Sequence, residues 1–245
     1  MISLSRVHKT FEGNHVLRGI DLTVAKGESM VIIGGSGSGK SVLIKCILGL
    51  LTPDAGTITI DGVAMTAKTQ AGFLDRFGML FQGGALFDSL PVWQNVAFRL
   101  LRGPQKAQAR EVAISKLAQV GLEADIADRY PSELSGGMQK RVGLARAIAA
   151  DPEVIFFDEP TTGLDPIMAG VINDLIRTVV NDLGVTAITI THDMTSVDAI
   201  ADKVAMLHDG IIRWAGAQSE MANADDPYLT QFIAGTTEGP IKARW

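Results

Sequence analysis

Cysteine is nearly absent. Cys46 is the only one in 245 residues, which excludes an internal disulfide and points to a reducing compartment. It shares helical spacing with Leu43, Ile47 and Leu50, where a free thiol acts as a small buried hydrophobe. Positive charge is short too, with 22 Lys and Arg against 27 Asp and Glu, and the net −5 argues against a nucleic-acid partner. No apolar run approaches the roughly 20 residues needed to cross a bilayer. Met1-Ile2-Ser3-Leu4-Ser5-Arg6-Val7 lacks a leader pattern, so the expected setting is soluble and cytoplasmic. Mean hydropathy is nevertheless +0.21, high for such a chain. A parallel sheet buried on both faces, with a large partner interface, would account for it. Internal repeats and low-complexity segments are missing as well.

One stretch stands out as dense in glycine. Gly34-Gly35-Ser36-Gly37-Ser38-Gly39-Lys40-Ser41 fits G-x-x-x-x-G-K-[ST], the phosphate loop. Ser29–Ile33 before it is a short β-branched apolar run, and the 3.6-residue spacing after it predicts a helix. The loop therefore joins a strand end to a helix N-terminus, where unpaired N–H groups and the positive dipole end bind an anion. At a glycine usage of about 7%, a chance match has odds of about one in a hundred, and the context lowers them. Nucleoside triphosphate binding follows, with Lys40 reaching the β- and γ-phosphates and the Ser41 hydroxyl serving Mg²⁺.

The other segments fall into place around it. Ile2–Val7 and Leu17–Val24 alternate as strands, and Thr57–Ile60 runs into the hairpin signal Asp61-Gly62. Phe11, followed by Val16, is either a core aromatic or a platform for adenine. Phe77–Phe81 reads as a buried strand ending at Gln82, after which Phe87, Trp93 and Phe98 are either packing or a docking surface. Lys106–Gln119 is a charged amphipathic helix with Val112, Ala113, Leu117 and Val120 inward, closed by Gly121. Leu134-Ser135-Gly136-Gly137-Met138 opens a helix with a second anion-binding geometry, and Val142, Ala145, Ile148 and Ala149 form its apolar face. Val154–Phe157 delivers Asp158 and Glu159 at a strand's C-terminal end, where α/β sheets place ligands. Asp165-Pro166 starts a helix striped by Val171, Ile172, Leu175, Ile176, Val179 and Val180, ending at Gly184. Val185–Thr191 is a strand leading to His192, which is either a satisfied core residue or a site residue. Asp209-Gly210 closes a late hairpin, Tyr228–Ile233 makes a last amphipathic turn, and Gly235–Pro240 reads as a flexible joint.

Taken in order, Phe11, Gly34–Ser41, Gln82, Leu134–Met138, Asp158-Glu159, Gly163-Leu164-Asp165 and His192 make the chain resemble the ATP-binding cassette ATPases over essentially its whole length. The resemblance implies an α/β fold, one domain over 1–235 with a C-terminal tail, 236–245. Its RecA-like phosphate-loop core would occupy 1–84 and 133–216, with an N-terminal antiparallel β subdomain and a helical subdomain inserted at about 85–132. An Mg²⁺-dependent ATPase is implied, in which Phe11 stacks on adenine beside Val16, and Gly34, Gly35, Ser36, Gly37, Ser38, Gly39, Lys40, Ser41 and Val42 hold the phosphates. Ser41, Gln82 and Asp158 would serve the metal. Glu159 would be the general base, with His192, Gln82 and Lys40 completing the catalytic set.

Ser135, Gly136, Gly137 and Met138 would close over the nucleotide of a second copy, which implies a dimer with ATP sandwiched between subunits. Met138 stands where the family usually has glutamine, with Gln139 following. Phe81–Leu90, Asn95–Phe98 and Leu134–Val142 are similar to the Mla-type branch, although Gln94 replaces a commoner glutamate. That branch implies a peripheral subunit on the cytoplasmic face of the inner membrane, moving phospholipids with transmembrane permease, Mce-type and small regulatory subunits. It also implies that Pro240–Trp245 docks on the partner cassette. A polar-solute importer and a soluble ATP switch are the alternative readings.

Overall fold

A computed structural model describes residues 1–242 of the chain. In order, its first elements are β1 (Ile2–Phe11), β2 (Asn14–Val24), β3 (Ser29–Ile33), α1 (Lys40–Ile47), β4 (Ala55–Ile60), β5 (Val63–Ala64), α2 (Gln70–Asp75) and β6 (Phe77–Leu80). There follow α3 (Val92–Val96), α4 (Ala109–Gln119), α5 (Gly136–Ile148), β7 (Val154–Asp158), α6 (Pro166–Leu183) and β8 (Thr186–Thr191). The last are α7 (Met194–Ile200), β9 (Lys203–His208), β10 (Ile211–Ala217) and α8 (Pro227–Ala234). Two compact units result, one from Met1–Phe73 with the chain from Ile190 onward, the other from Leu74–Thr189. Among the described residues no helix is long and apolar enough to cross a membrane.

The first unit holds the antiparallel sheet β2-β1-β4-β5 and the strands β10-β9-β3, with β3 parallel to β9. Strands β1 and β2 run longer than their alternation suggests, zipping up to a two-residue turn at Glu12-Gly13. Every residue of β3 is buried. Helix α1 buries Leu43, Ile44, Cys46 and Ile47 and then stops. Leu50, expected on that face, lies past the helix end and is 55% exposed.

Helix α8 is capped by Asp226 at its start and Gly235 at its end. The segment expected to be a loose joint after it is tied down instead. The Gln231 side chain donates to the Thr236 and Ile241 carbonyls and accepts from the Ile241 N–H. Small, polar residues read as flexible, but here Thr236 within the segment and Ile241 just past it are both fastened to one amide. Of the segment expected to dock on a partner, Ala243–Trp245 lie outside the described residues.

The second unit has strands β8-β7-β6, with β6 parallel to β7, and helices on them. Strand β6 ends at Leu80, one residue short of the sequence expectation, and Phe81 is 42% exposed. Helix α5 packs on β6 at Gly143, where an added Cβ would lie 2.7 Å from the Leu80 side chain. Helix α4 begins at Ala109, because Pro104–Gln108 forms a tighter 3-10 turn. Asp165 caps α6 by accepting from the Ile167 and Met168 N–H groups. The buried stripe of α6 is Ile172, Asn173, Ile176, Val179 and Val180. Asn173 falls at i+1 from Ile172 and i−3 from Ile176, which places it inside the stripe and leaves Val171 and Leu175 half-exposed at its edge.

Cys46 is fully buried, and burial pushes its thiol up to about 11. The thiolate fraction at pH 8 is then on the order of one in a thousand. We expect no alkylation by iodoacetamide in the native chain at pH 8 and rapid labelling in urea. Mass spectrometry of the timed reaction reads the difference.

Candidate functional site

In the first unit the phosphate loop leaves the end of β3. Gly34 turns at φ +151, and a Cβ there would collide with the Leu207 carbonyl, so only glycine fits. Gly39 caps α1 at φ 106, and no side chain satisfies the helix N-terminus. A helix start capped by glycine suits an anion. The Lys40 ammonium, only 8% exposed, folds back to donate to the Gly34 and Gly35 carbonyls. Ser38 Oγ is buried with no hydrogen-bond partner among the described residues. An unpartnered buried hydroxyl costs about 1–3 kcal/mol, which a phosphate oxygen would recover. Backbone donors, a buried cation and an orphaned hydroxyl within one short loop suit a polyphosphate. Ser41 is exposed and Val42 half-buried at the start of α1.

Val16 of β2 abuts this loop: its carbonyl would lie 3.1 Å from a Cβ at Gly39. Phe11 ends β1 beside the hairpin turn, 40% exposed, with the Lys9 ammonium 5.4 Å from its ring centroid. It is not core. His192 follows β8 and is exposed, while its neighbour Asp193 caps α7 by accepting from Thr195 N and Ser196 Oγ.

In the second unit, Gln82 sits exposed in the turn that follows β6. Phe81, Phe87, Phe98, Arg99 and Arg146 line a cavity of about 230 Å³ just beyond it. The Phe87 and Phe98 rings lie 4.5 Å apart. Asn95, fully buried, accepts from Phe87 N and donates to the Phe87, Leu90 and Pro91 carbonyls, fixing the loop before α3. Trp93, the third aromatic expected here, is half-buried on α3.

Ser135 caps α5 by accepting from Met138 N, with Gly136 exposed beside it. Gly137 is buried, and a Cβ there would lie 2.6 Å from the Met168 methyl. Asp158 ends β7, and Glu159 follows at φ +47, a left-handed conformation costing a side-chain-bearing residue about 1–2 kcal/mol. Its carboxylate accepts from Thr162 Oγ1 at 3.2 Å. Its carbonyl accepts from Lys140 at 3.3 Å. Lys140 is 4% exposed; burial holds its ammonium below the ordinary lysine value, while Asp158 and Glu159 pull it back up. The sequence reading passed over Lys140. Its i, i+4, i+8 spacing with the buried Leu144 and Ile148 is the signal that it points inward.

A phosphate loop on a buried parallel strand, together with a serine-capped glycine pair and a strand-end Asp-Glu, defines an ATP-hydrolysing cassette. The chain belongs to the ABC transporter family, whose model matches residues 17–162. It is similar to the intermembrane phospholipid transport system ATP-binding protein MlaF of Escherichia coli, strain K12, at 39% identity over the whole of this chain and 93% of that one. It is also 41% identical, over 86% of this chain and 62% of the relative, to the methionine import ATP-binding protein MetN of Ralstonia nicotianae. A dimeric ATP-binding cassette solved in a post-hydrolysis state with ADP and Pi matches 89% of this chain and 99% of its own, at TM-score 0.81 and 30% identity.

Lys40→Ala removes the one buried cation of the loop. We expect MgATP affinity to fall at least about tenfold with Tm nearly unchanged, since a charge-assisted contact is worth roughly 1.5–3 kcal/mol. Fluorescent ATP titration and thermal melting check both halves.

Proposed function

We propose that this ABC ATPase drives a transporter of phospholipids between membranes, as a peripheral subunit on the cytoplasmic face of the inner membrane. The supporting observation is the end-to-end similarity to the phospholipid-transport relative. In this reading Lys40 and the loop N–H groups hold the β- and γ-phosphates, and Phe11 with Val16 holds the adenine. The oxygen donors Ser41, Gln82 and Asp158 suit Mg²⁺, which takes one or two carboxylates together with phosphate oxygens. When bound, the metal would neutralise charge developing on the transferred phosphoryl group. Glu159 polarises the attacking water as general base, and His192 donates to the γ-phosphate.

Ser135, Gly136, Gly137 and Met138 then complete the site of a second copy, a reading supported by the dimeric state of the similar cassette. Missing the usual glutamine at Met138 leaves the hydroxyl and backbone donors in place. The aromatic cavity beside Gln82 offers a seat for a transmembrane permease, with Mce-type and small regulatory subunits completing the complex. An importer of a polar solute such as an amino acid is the second reading, favoured by the methionine-import relative.

Glu159→Gln keeps the shape and removes the base. Its kcat for ATP should fall by about 10²–10⁴ while ATP binding persists, from the usual worth of general-base catalysis. Undiminished phosphate release would remove Glu159 from the mechanism. The transport reading is tested by purifying the chain from detergent-solubilised membranes. A multi-span permease with phospholipid, identified by mass spectrometry, is expected; an amino acid in its place would favour the importer.

A further inference from the structure

Gln82 opens a loop with almost no regular structure. The turn from Phe81 to Gly84 is closed by Gly84 N donating to the Phe81 carbonyl at 2.9 Å. After Gln82, three successive residues are left-handed, Gly83 at φ +74, Gly84 at +79 and Ala85 at +45. Gly83 and Gly84 take such angles freely, but Ala85 does not and is held there by its surroundings. The holder is Arg146, in the last turn of α5. Its guanidinium donates from Nη2 to the Gly84 carbonyl at 2.6 Å and from Nη1 to the Ala85 carbonyl at 2.8 Å.

The same helix meets the loop a second time. A Cβ at Gly143 would lie 3.3 Å from Gly84 Cα, so helix and loop backbones touch. The guanidinium also lies 5.9 Å from the Phe81 ring centroid, on the other side of Gln82 in sequence. Both hydrogen-bond partners of Arg146 are backbone carbonyls rather than a carboxylate. The cation is spent on loop geometry, and burial costs it enough to hold it below its ordinary value.

We infer that Arg146 is a positioning residue of the ATPase reaction, setting Gln82 by clamping the two carbonyls that follow it. The inference rests on the reading of Gln82 as a participant in ATP hydrolysis. Two adjacent carbonyls match a planar fork; a lysine ammonium, a point donor on a flexible stem, can serve one of them well.

The test is a double-mutant cycle on the full chain with MgATP, comparing Arg146→Lys, Gln82→Ala and the pair. Arg146→Lys should lower kcat at least about tenfold with KM and Tm little changed, the scale on which misplacement of a positioned group acts. In the Gln82→Ala background, Arg146→Lys should have almost no further effect, because both lesions break one linkage. An equal loss of kcat in both backgrounds would overturn the inference and leave the role of Gln82 standing, as would a loss that follows a fall in Tm. Unchanged kcat in Gln82→Ala alone would overturn both the reading of Gln82 and the role of Arg146 built on it.

Discussion

Backbone meets backbone at Gly34, and the first unit is arranged around that approach. With the Leu207 carbonyl where a Cβ would stand, the end of β3 is pinned to the end of β9. Val16 is held likewise, its carbonyl crowded by Gly39 on one side and by Gly210 on the other. The phosphate loop is therefore framed by main chain, which cannot change rotamer. Interiors packed to this density transmit displacement instead of absorbing it. The wall of the loop is set before any ligand arrives, which lowers the ordering cost of binding one.

In the second unit helix α5 has a comparable position. Its N-terminus presents Ser135, Lys140 supports the Glu159 carbonyl, Gly143 lies against β6, and Arg146 holds the loop after Gln82. Removing the partner of a buried ammonium leaves an uncompensated charge, so the Glu159 turn and the Lys140 side chain stabilise one another. The left-handed φ at Glu159 persists because neighbours on two sides, Lys140 and Thr162, over-determine it.

Features that one short segment specifies were legible in the sequence. Asp165 with Pro166, Gly184, Asp61-Gly62 and Asp209-Gly210 each act through local backbone geometry, and the helix and hairpins they mark are present. The phosphate loop was legible because glycine, lysine and serine at fixed offsets have few other uses. Arg146 was not, because its acceptors lie 61 and 62 residues away in the chain. Asn95 entered only as part of a family-like stretch, and nothing local shows that its amide organises the loop before α3. The tail misled for the reverse reason. Gly239 reads as loose in isolation, but a side chain there would overlap the Gln231 amide, so the glycine is a condition of order.

The buried thiol at Cys46 has a practical side. Since the chain has one cysteine and it lies on the buried face of α1, its surface is blank to maleimide chemistry. A cysteine introduced at any exposed position, such as Ser89 in the loop before α3, would carry a fluorophore or spin label without first engineering the native residue away. Distances between labelled copies could then be followed through a catalytic cycle in an otherwise unaltered sequence.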